Sequence, residues 1–410
     1  MVFGVLRAWG LIKLYDTSDY VSGGGGGVLG EFKDAIRGEL GEDVRVALFW
    51  KGRVALYAIL KSLEIGEGDE VIIPGFTCVV VANAVIYSGA TPVYADIDPR
   101  TYTATRDTIE PLITPRTRAI VSQNTFGLSA DLDPLMEIAS ERGLEVIDDC
   151  AHGFGGSYKG RPNGITTRTS FFSTQWNKPI STGIGGFAVT TDPRIGEKLY
   201  KLERQADTPT AWDTLVLRSM YLARDKLVGQ NTYWQLLKLY RWLGSRGLVI
   251  GSSQSAELEG PSMPRGYFKS ISRFQAHAGL KALRDLGEAK EFRRSVADEY
   301  DELMKSLGKT TPLRPGYAEH MFLKYPVRVE NRNRFMEMAR SEGVRLGDWF
   351  VSPLHPIEQD LSPWRYDKGC CPAAERASTQ LINLPTELDM SRKEIDRVKD
   401  FVSGNAACIL

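Results

Sequence analysis

The chain has 410 residues, 42% of them hydrophobic, enough for a large buried core and, by length, for two or three domains. Lysine plus arginine and aspartate plus glutamate both number 51, so the formal net charge is zero and bulk nucleic-acid binding gains no support. The five cysteines (Cys78, Cys150, Cys370, Cys371 and Cys408) lack metal-ligand spacing, and a reduced cytoplasmic setting is the simplest reading.

Met1 to Tyr15 is apolar but interrupted by Arg7 and Lys13, without a small-residue cleavage site, so it reads as a packed arm rather than a signal peptide. No uninterrupted run of about 18 apolar residues marks a membrane span. Gly23 to Gly27 reads as a flexible loop. From about residue 44 to 190 the pattern alternates. Arg53 to Leu63 reads as a helix, Glu70 to Pro74 as a buried strand, Val79 to Tyr87 as a helix and Thr91 to Ile97 as a strand. Ala119 to Ser122, Leu132 to Arg142 and Leu144 to Asp148 repeat the strand–helix–strand theme. Such alternation argues for an α/β domain with a mostly parallel sheet.

Residues 201–265 change character. Trp212, Trp234 and Trp242 fall here, and Tyr233 to Leu243 is an apolar, basic helix candidate. Two readings stand: a helical insertion packed on the domain or on a dimer partner, or an element for peripheral membrane contact or a hydrophobic substrate, since tryptophan with cationic residues suits interfaces. A long helix is expected from Ser272 to Leu307. A smaller α+β region follows, with a strand over Met321 to Val327 and helices over Asn331 to Glu342 and Ser391 to Val402; Ser391 and Glu394 have capping-box spacing. The expected division is therefore 1–200, 201–265 and 266–410.

Three stretches could carry chemistry. Asp149 follows an apolar strand, at the edge of a parallel sheet where ligands gather, and His152 lies three residues on. Lys178 sits among Phe171, Phe172, Trp176, Pro179 and Ile180, ahead of Gly183, Gly185 and Gly186. Such surroundings desolvate a lysine and free its amine for Schiff-base chemistry. Ser173 and Thr174 offer hydroxyls to a phosphate, and Gly52-Arg53-Val54 opens a helix whose N-terminal amides could bind the same anion. Each signal alone has a bland alternative: a loop aspartate, a structural histidine, a solvated lysine, a helix that merely follows a glycine.

Together, and in this order, the segments resemble the DegT/DnrJ/EryC1/StrS family, sugar aminotransferases of fold type I that depend on pyridoxal phosphate (PLP). Asp149-Cys150-Ala151-His152 is similar to the family's D-x-A-[QH] block; Phe172-Ser173, Lys178 and Gly185-Gly186 match its F-S-x4-K-x6-G-G block. Gly66 to Pro74, Gly89 to Val93, Asp96-Ile97-Asp98, Pro353-Leu354-His355, Cys371 to Glu375 and Asn383-Leu384-Pro385 extend the likeness over most of the chain. The resemblance implies a large PLP-binding domain and a small C-terminal α+β domain. It implies that Lys178 forms the Schiff base, that Asp149 pairs with the pyridine nitrogen and that His152 packs over the ring. Gly52, Arg53, Val54 and Ser173 fall at phosphate-site positions. It implies a homodimer that moves an amino group from glutamate or glutamine to a nucleotide-linked keto-sugar. Cys78 stands where the family has a ring-stacking aromatic, with Phe76 nearby as a substitute, and Phe268 stands where it has an asparagine that reaches the partner subunit. A sugar dehydratase, whose relatives carry histidine in place of the lysine, and a non-catalytic PLP-binding sensor are the alternatives.

Overall fold

The computed structural model describes residues 27–227 and 255–410. Seven strands form the main sheet: β1 (Arg45–Phe49), β2 (Glu70–Pro74), β3 (Thr91–Ala95), β4 (Thr117–Gln123), β5 (Glu145–Asp149), β6 (Thr169–Ser173) and β7 (Gly186–Thr190). Their order is β1-β7-β6-β5-β4-β2-β3. Neighbours from β6 through β3 pair in parallel, while β7 runs antiparallel to both β6 and β1. All five residues of β2 and of β7 are buried, as expected where helices cover both faces of a sheet.

The helices that cover it are α1 (Val28–Leu40), α2 (Gly52–Ser62), α3 (Val79–Ser88), α4 (Leu132–Arg142) and α5 (Pro193–Gln205). Only Tyr57 and Lys61 of α2 escape burial, so this helix lies inside the domain. Its start is set by a close approach. A Cβ on Gly186 would sit 2.3 Å from the Gly52 nitrogen and 2.6 Å from the Phe172 carbonyl oxygen. Glycine at the first residue of β7 thus lets the N-terminus of α2 rest against the ends of β6 and β7.

Within 201–265 the described residues hold α6 (Ala211–Leu227) and a short helix, Ser255–Glu259. Leu217 of α6 is fully buried with Trp50 and Ile184, whereas Trp212 is 70% exposed. The expected helix Tyr233 to Leu243, with Trp234 and Trp242, and the N-terminal arm fall outside the described residues. Among the described residues no helix is long and apolar enough to cross a membrane.

The single helix expected from Ser272 to Leu307 is two, α7 (Arg273–Arg284) and α8 (Leu286–Ser306). Asp285 ends one and begins the other, just before Gly287, a poor helix former. Ser272 and Gln275 form a capping box at the start of α7. Beyond α8, β8 (Tyr325–Arg328) pairs antiparallel with β9 (Leu381–Leu384). The strand expected from Met321 starts only at Tyr325, because Phe322 takes a positive φ of 47°. With α9 (Arg332–Ser341), α10 (Pro372–Gln380) and α11 (Arg392–Gly404) in place, Val296, Tyr300, Phe322, Phe335, Ile382 and Phe401 form a second core. The capping box at Ser391 and Glu394 is present. The C-terminal part also feeds the first core, through Phe350, Leu354, Trp364 and Cys371. There a two-residue strand, Leu354–His355, pairs in parallel with Thr77–Cys78.

Two glycine substitutions test this packing. Gly186→Ala is expected to lower the unfolding free energy by about 1–3 kcal/mol, the usual cost of forcing extra volume into a filled space. Gly38→Ala, in α1 with nothing within 4 Å of its added Cβ, is expected to raise it by about 0.5–1 kcal/mol. Chemical denaturation of both variants reads the two signs.

Candidate active site

The carboxyl ends of β4, β5 and β6 meet the first residue of β7 and the start of α2 on one edge of the sheet. Three sequence-predicted groups lie on that edge.

Consecutive aspartates end β5 and, because strand side chains alternate, they face opposite ways. Asp148 is satisfied: its Oδ1 accepts from Ser122 Oγ and Asn124 Nδ2, both at 2.8 Å, and its Oδ2 from Cys150 Sγ. Asp149 is also buried but accepts a single backbone hydrogen bond, from the Ala151 amide at 2.9 Å. Burial pushes its carboxyl up to about 7, against the pull of that amide and of the Lys178 charge, with the Asp148 charge adding to the rise. A buried carboxylate this poorly compensated is set to receive a cationic N–H.

Lys178 lies in the loop between β6 and β7. Thr174 and Thr182 close the neck of this loop, with hydroxyl oxygens 2.7 Å apart and the Thr182 amide donating to the Thr174 carbonyl at 2.8 Å. Gly183, with φ of +83°, turns the chain back. Gln275 Nε2 of α7 donates to the Ile184 carbonyl. From the insertion, Leu217 packs against Gly183, and Arg224 Nη1 donates to the Trp176 carbonyl at 2.8 Å. Burial lowers the lysine amine to about 8; Cys78 and Asp149 pull it up, while Lys324 and Arg53 push it further down. Its Nζ lies 4.5 Å from the ring centroid of Trp349.

His152 stacks on the same indole, with centroids 4.9 Å apart and planes 14° from parallel. Its Nδ1 accepts from the Phe126 amide at 3.3 Å, and burial, chiefly, holds the ring neutral. Cys78 precedes α3 and is tied through its strand to His355; burial raises its thiol. Phe76 does not substitute for the missing aromatic there. Its ring is fully buried against Tyr102, Phe126 and Phe350, the last at 5.1 Å.

The phosphate-site positions separate into two kinds. Gly52 and Ser173 touch: a Cβ on Gly52 would lie 2.9 Å from Ser173 Cβ, so the cradle at the start of α2 stays open because glycine forms it. The first amides of a helix have no intrahelical acceptor and suit an anion. Val54 instead turns its side chain into the core and its amide to the Lys51 carbonyl, at 3.0 Å. Arg53 is buried, with Nη1 2.5 Å from Glu257 Oε1, and Lys51 Nζ stands 3.9 Å from the other oxygen of that carboxylate. Burial, then the Arg53 charge, brings Lys51 down to about 7.

Sequence reasoning missed Trp349, Lys51, Glu257 and Lys324. The one available signal for Trp349 was its place four residues before Pro353-Leu354-His355. The residues present fit PLP: an undercompensated buried carboxyl for a pyridinium, a buried amine of lowered basicity, and an open glycine cradle at a helix N-terminus.

Asp149 also makes a stability prediction for the apoprotein. Its folded value, about 7, exceeds its ordinary 3.8, so the folded state gains on protonation. That gain is complete below pH 3.8 and is lost as pH rises through 7. Asp149→Asn is therefore expected to be the more stable apoprotein at pH 8, on the order of a few kcal/mol, with the gap shrinking toward pH 5. Denaturation at both pH values checks the sign.

Residues 25–403 match the DegT/DnrJ/EryC1/StrS aminotransferase family. A UDP-2-acetamido-2-deoxy-3-oxo-D-glucuronate aminotransferase of Pseudomonas aeruginosa is 30% identical, over 82% of this chain and 79% of its own. GDP-perosamine synthase of Caulobacter vibrioides is 29% identical, over 85% and 82%. The crystal structure of DesV from S. venezuelae superposes with a TM-score of 0.74 at 25% identity, covering 98% of this chain and 95% of that one. The fold is that of the type I PLP aminotransferases. The chain belongs to the DegT/DnrJ/EryC1/StrS family and is a PLP-dependent aminotransferase.

Proposed function

We propose that the enzyme moves an amino group from glutamate or glutamine to the ketone of a nucleotide-linked sugar, in two half-reactions at one site. The observation that carries this reading is the pair of buried, mutually attracting groups at the sheet edge, Asp149 and Lys178. The names of the relatives above, one acting on a UDP-linked 3-oxo sugar and one a GDP-perosamine synthase, support the acceptor class.

PLP, when bound, supplies an electron sink whose strength depends on a protonated pyridine nitrogen. In this reading the Asp149 carboxylate would hold a proton on the cofactor's ring nitrogen. Lys178 would hold the cofactor through its side-chain amine, and that amine would carry the proton taken from the donor α-carbon. An amine brought from 10.5 down to about 8 keeps a usable neutral fraction near neutral pH, the form that can take that proton. His152, neutral and buried, offers a flat face without adding charge. Gly52 and Ser173 would hold the phosphate, with the cation of Arg53, paired with Glu257, adding attraction and Val54 as scaffold. Cys78 leaves the cofactor a smaller neighbour than the family's aromatic would.

The same reading treats 1–200, 201–265 and 266–410 as the cofactor domain, the insertion and the small domain, in a cytoplasmic homodimer. The contacts of Leu217 and Arg224 with the lysine loop favour an insertion packed on the domain over a membrane surface.

The test is Lys178→Ala. Borohydride treatment is expected to fix PLP to the wild-type chain, seen as an intact-mass increase, and not to the variant. Keto-acid release from glutamate is expected to fall about 10²–10⁴-fold. A variant that kept both would contradict the assignment.

A further inference from the structure

Amino transfer makes no use of two adjacent cysteines, Cys370 and Cys371, where the chain enters α10. Their sulfurs lie 3.6 Å apart. Cys370 is exposed, whereas Cys371 is fully buried. The buried sulfur has a fitted seat: a Cβ on Gly75 would collide with it, and the Tyr94 carbonyl oxygen of β3 lies 3.7 Å away. The chain on either side is pinned. The Asp96 carboxylate accepts from the Ala373 and Ala374 amides, both at 2.9 Å. Glu375 Oε1 accepts from the Gly369 amide at 2.6 Å and from the Tyr366 hydroxyl at 3.1 Å. Among the described residues no group of three or more His, Cys, Asp or Glu gathers as metal ligands, which leaves the pair with two-thiol chemistry.

That chemistry is close at hand. The sulfurs need only close from 3.6 Å to about 2 Å to bond. The Cys371 thiol hydrogen-bonds to Cys370 and draws it below the ordinary thiol value, against burial and the Glu375 charge. The same contact, then burial, raises Cys371. The exposed sulfur is therefore the better nucleophile, and the buried one waits behind it. The peptide between them is trans, so their Cα atoms stand about 3.8 Å apart, short of the roughly 4.4–6.8 Å that disulfides prefer. A bridge here is strained and readily reduced, as labile disulfides are and structural ones are not. Reducing compartments keep structural disulfides rare and leave room for transient ones.

We propose that Cys370 and Cys371 form a reversible vicinal disulfide when the enzyme meets a peroxide. The Cys370 thiolate attacks one peroxide oxygen and the O–O bond breaks. Cys370 becomes a sulfenic acid, and the other oxygen leaves as hydroxide and takes a proton to form water. Cys371 sulfur then attacks Cys370 sulfur, the S–O bond breaks, and the hydroxide leaves as water with the Cys371 proton. The peroxide gains the two electrons that the two thiols lose. A dithiol reverses the bridge by exchange. The burial of Cys371 divides the roles: it meets the oxidant only through Cys370, and its attack stops Cys370 from passing on to sulfinic acid.

The PLP-loaded enzyme is treated with dilute hydrogen peroxide, blocked with iodoacetamide and digested with trypsin. The peptide from Gly369 to Arg376 holds both cysteines and no others. From the wild type it is expected unalkylated and lighter by two hydrogen atoms, and doubly alkylated when dithiothreitol precedes the block. Cys370→Ser is expected to form no bridge and to lose its Cys371 thiol at least about tenfold more slowly, because that sulfur is buried. Reduced wild type is expected to retain phenylarsine oxide, which spans two thiols, through washing with a monothiol; Cys370→Ser is expected to release it. The exposed serine replacement spares the buried seat, so both readouts are made on folded protein. Three results would each overturn the proposal. In the first, the wild-type peptide carries sulfinic acid on Cys370 with Cys371 still alkylated. In the second, Cys370 links to another chain instead. In the third, both thiols survive peroxide that oxidises free glutathione in the same tube.

Discussion

The site depends on a carboxylate buried without enough partners. Asp149 is enclosed at the end of β5 with one backbone N–H and a neighbouring lysine for compensation. The fold bears this cost locally, as active sites commonly do. The strand neighbour Asp148 shows the contrast: equally buried, it has Ser122, Asn124 and Cys150 around it and serves as structure. What separates the two is the alternation of a strand, which sends one side chain into a hydrogen-bonded network and the other to the face where Lys178 lies.

The lysine is held with comparable care. Its loop is closed by Thr174 and Thr182, turned by Gly183 and braced by Gln275. Contacts from the insertion reach the same loop: Leu217 fills the space beside Gly183, and Arg224 holds the Trp176 carbonyl. At its other end the insertion returns Glu257 to Arg53 at the start of α2. The 201–265 segment is thus fastened both to the lysine loop and to the start of α2.

Much of this was legible in the sequence, for identifiable reasons. The buried strands β2 and β5 and the helices α2, α3 and α4 announce themselves by unbroken apolar runs and by period, within a residue or two of their ends. Asp149, His152 and Lys178 each stand in a short block on which the family resemblance rests. The break at Asp285 was not legible, because α7 and α8 continue one periodic pattern across it. Trp349, Lys324 and Glu257 were missed for a different reason. They reach the site from segments 79 to 171 residues beyond Lys178, and only the tertiary fold brings them there. Phe76 shows the reverse failure: near Cys78 in sequence, it points into the core instead.

The central claim is that Asp149 exists to hold a proton on the cofactor's ring nitrogen. Nitrogen NMR of the enzyme reconstituted with ¹⁵N-labelled PLP tests it most directly. The wild-type spectrum at pH 7.5 is predicted to show the shift of a protonated pyridine, and Asp149→Ala that of a neutral one. A neutral nitrogen in the wild type, or a protonated one that persists in Asp149→Ala, would contradict the account.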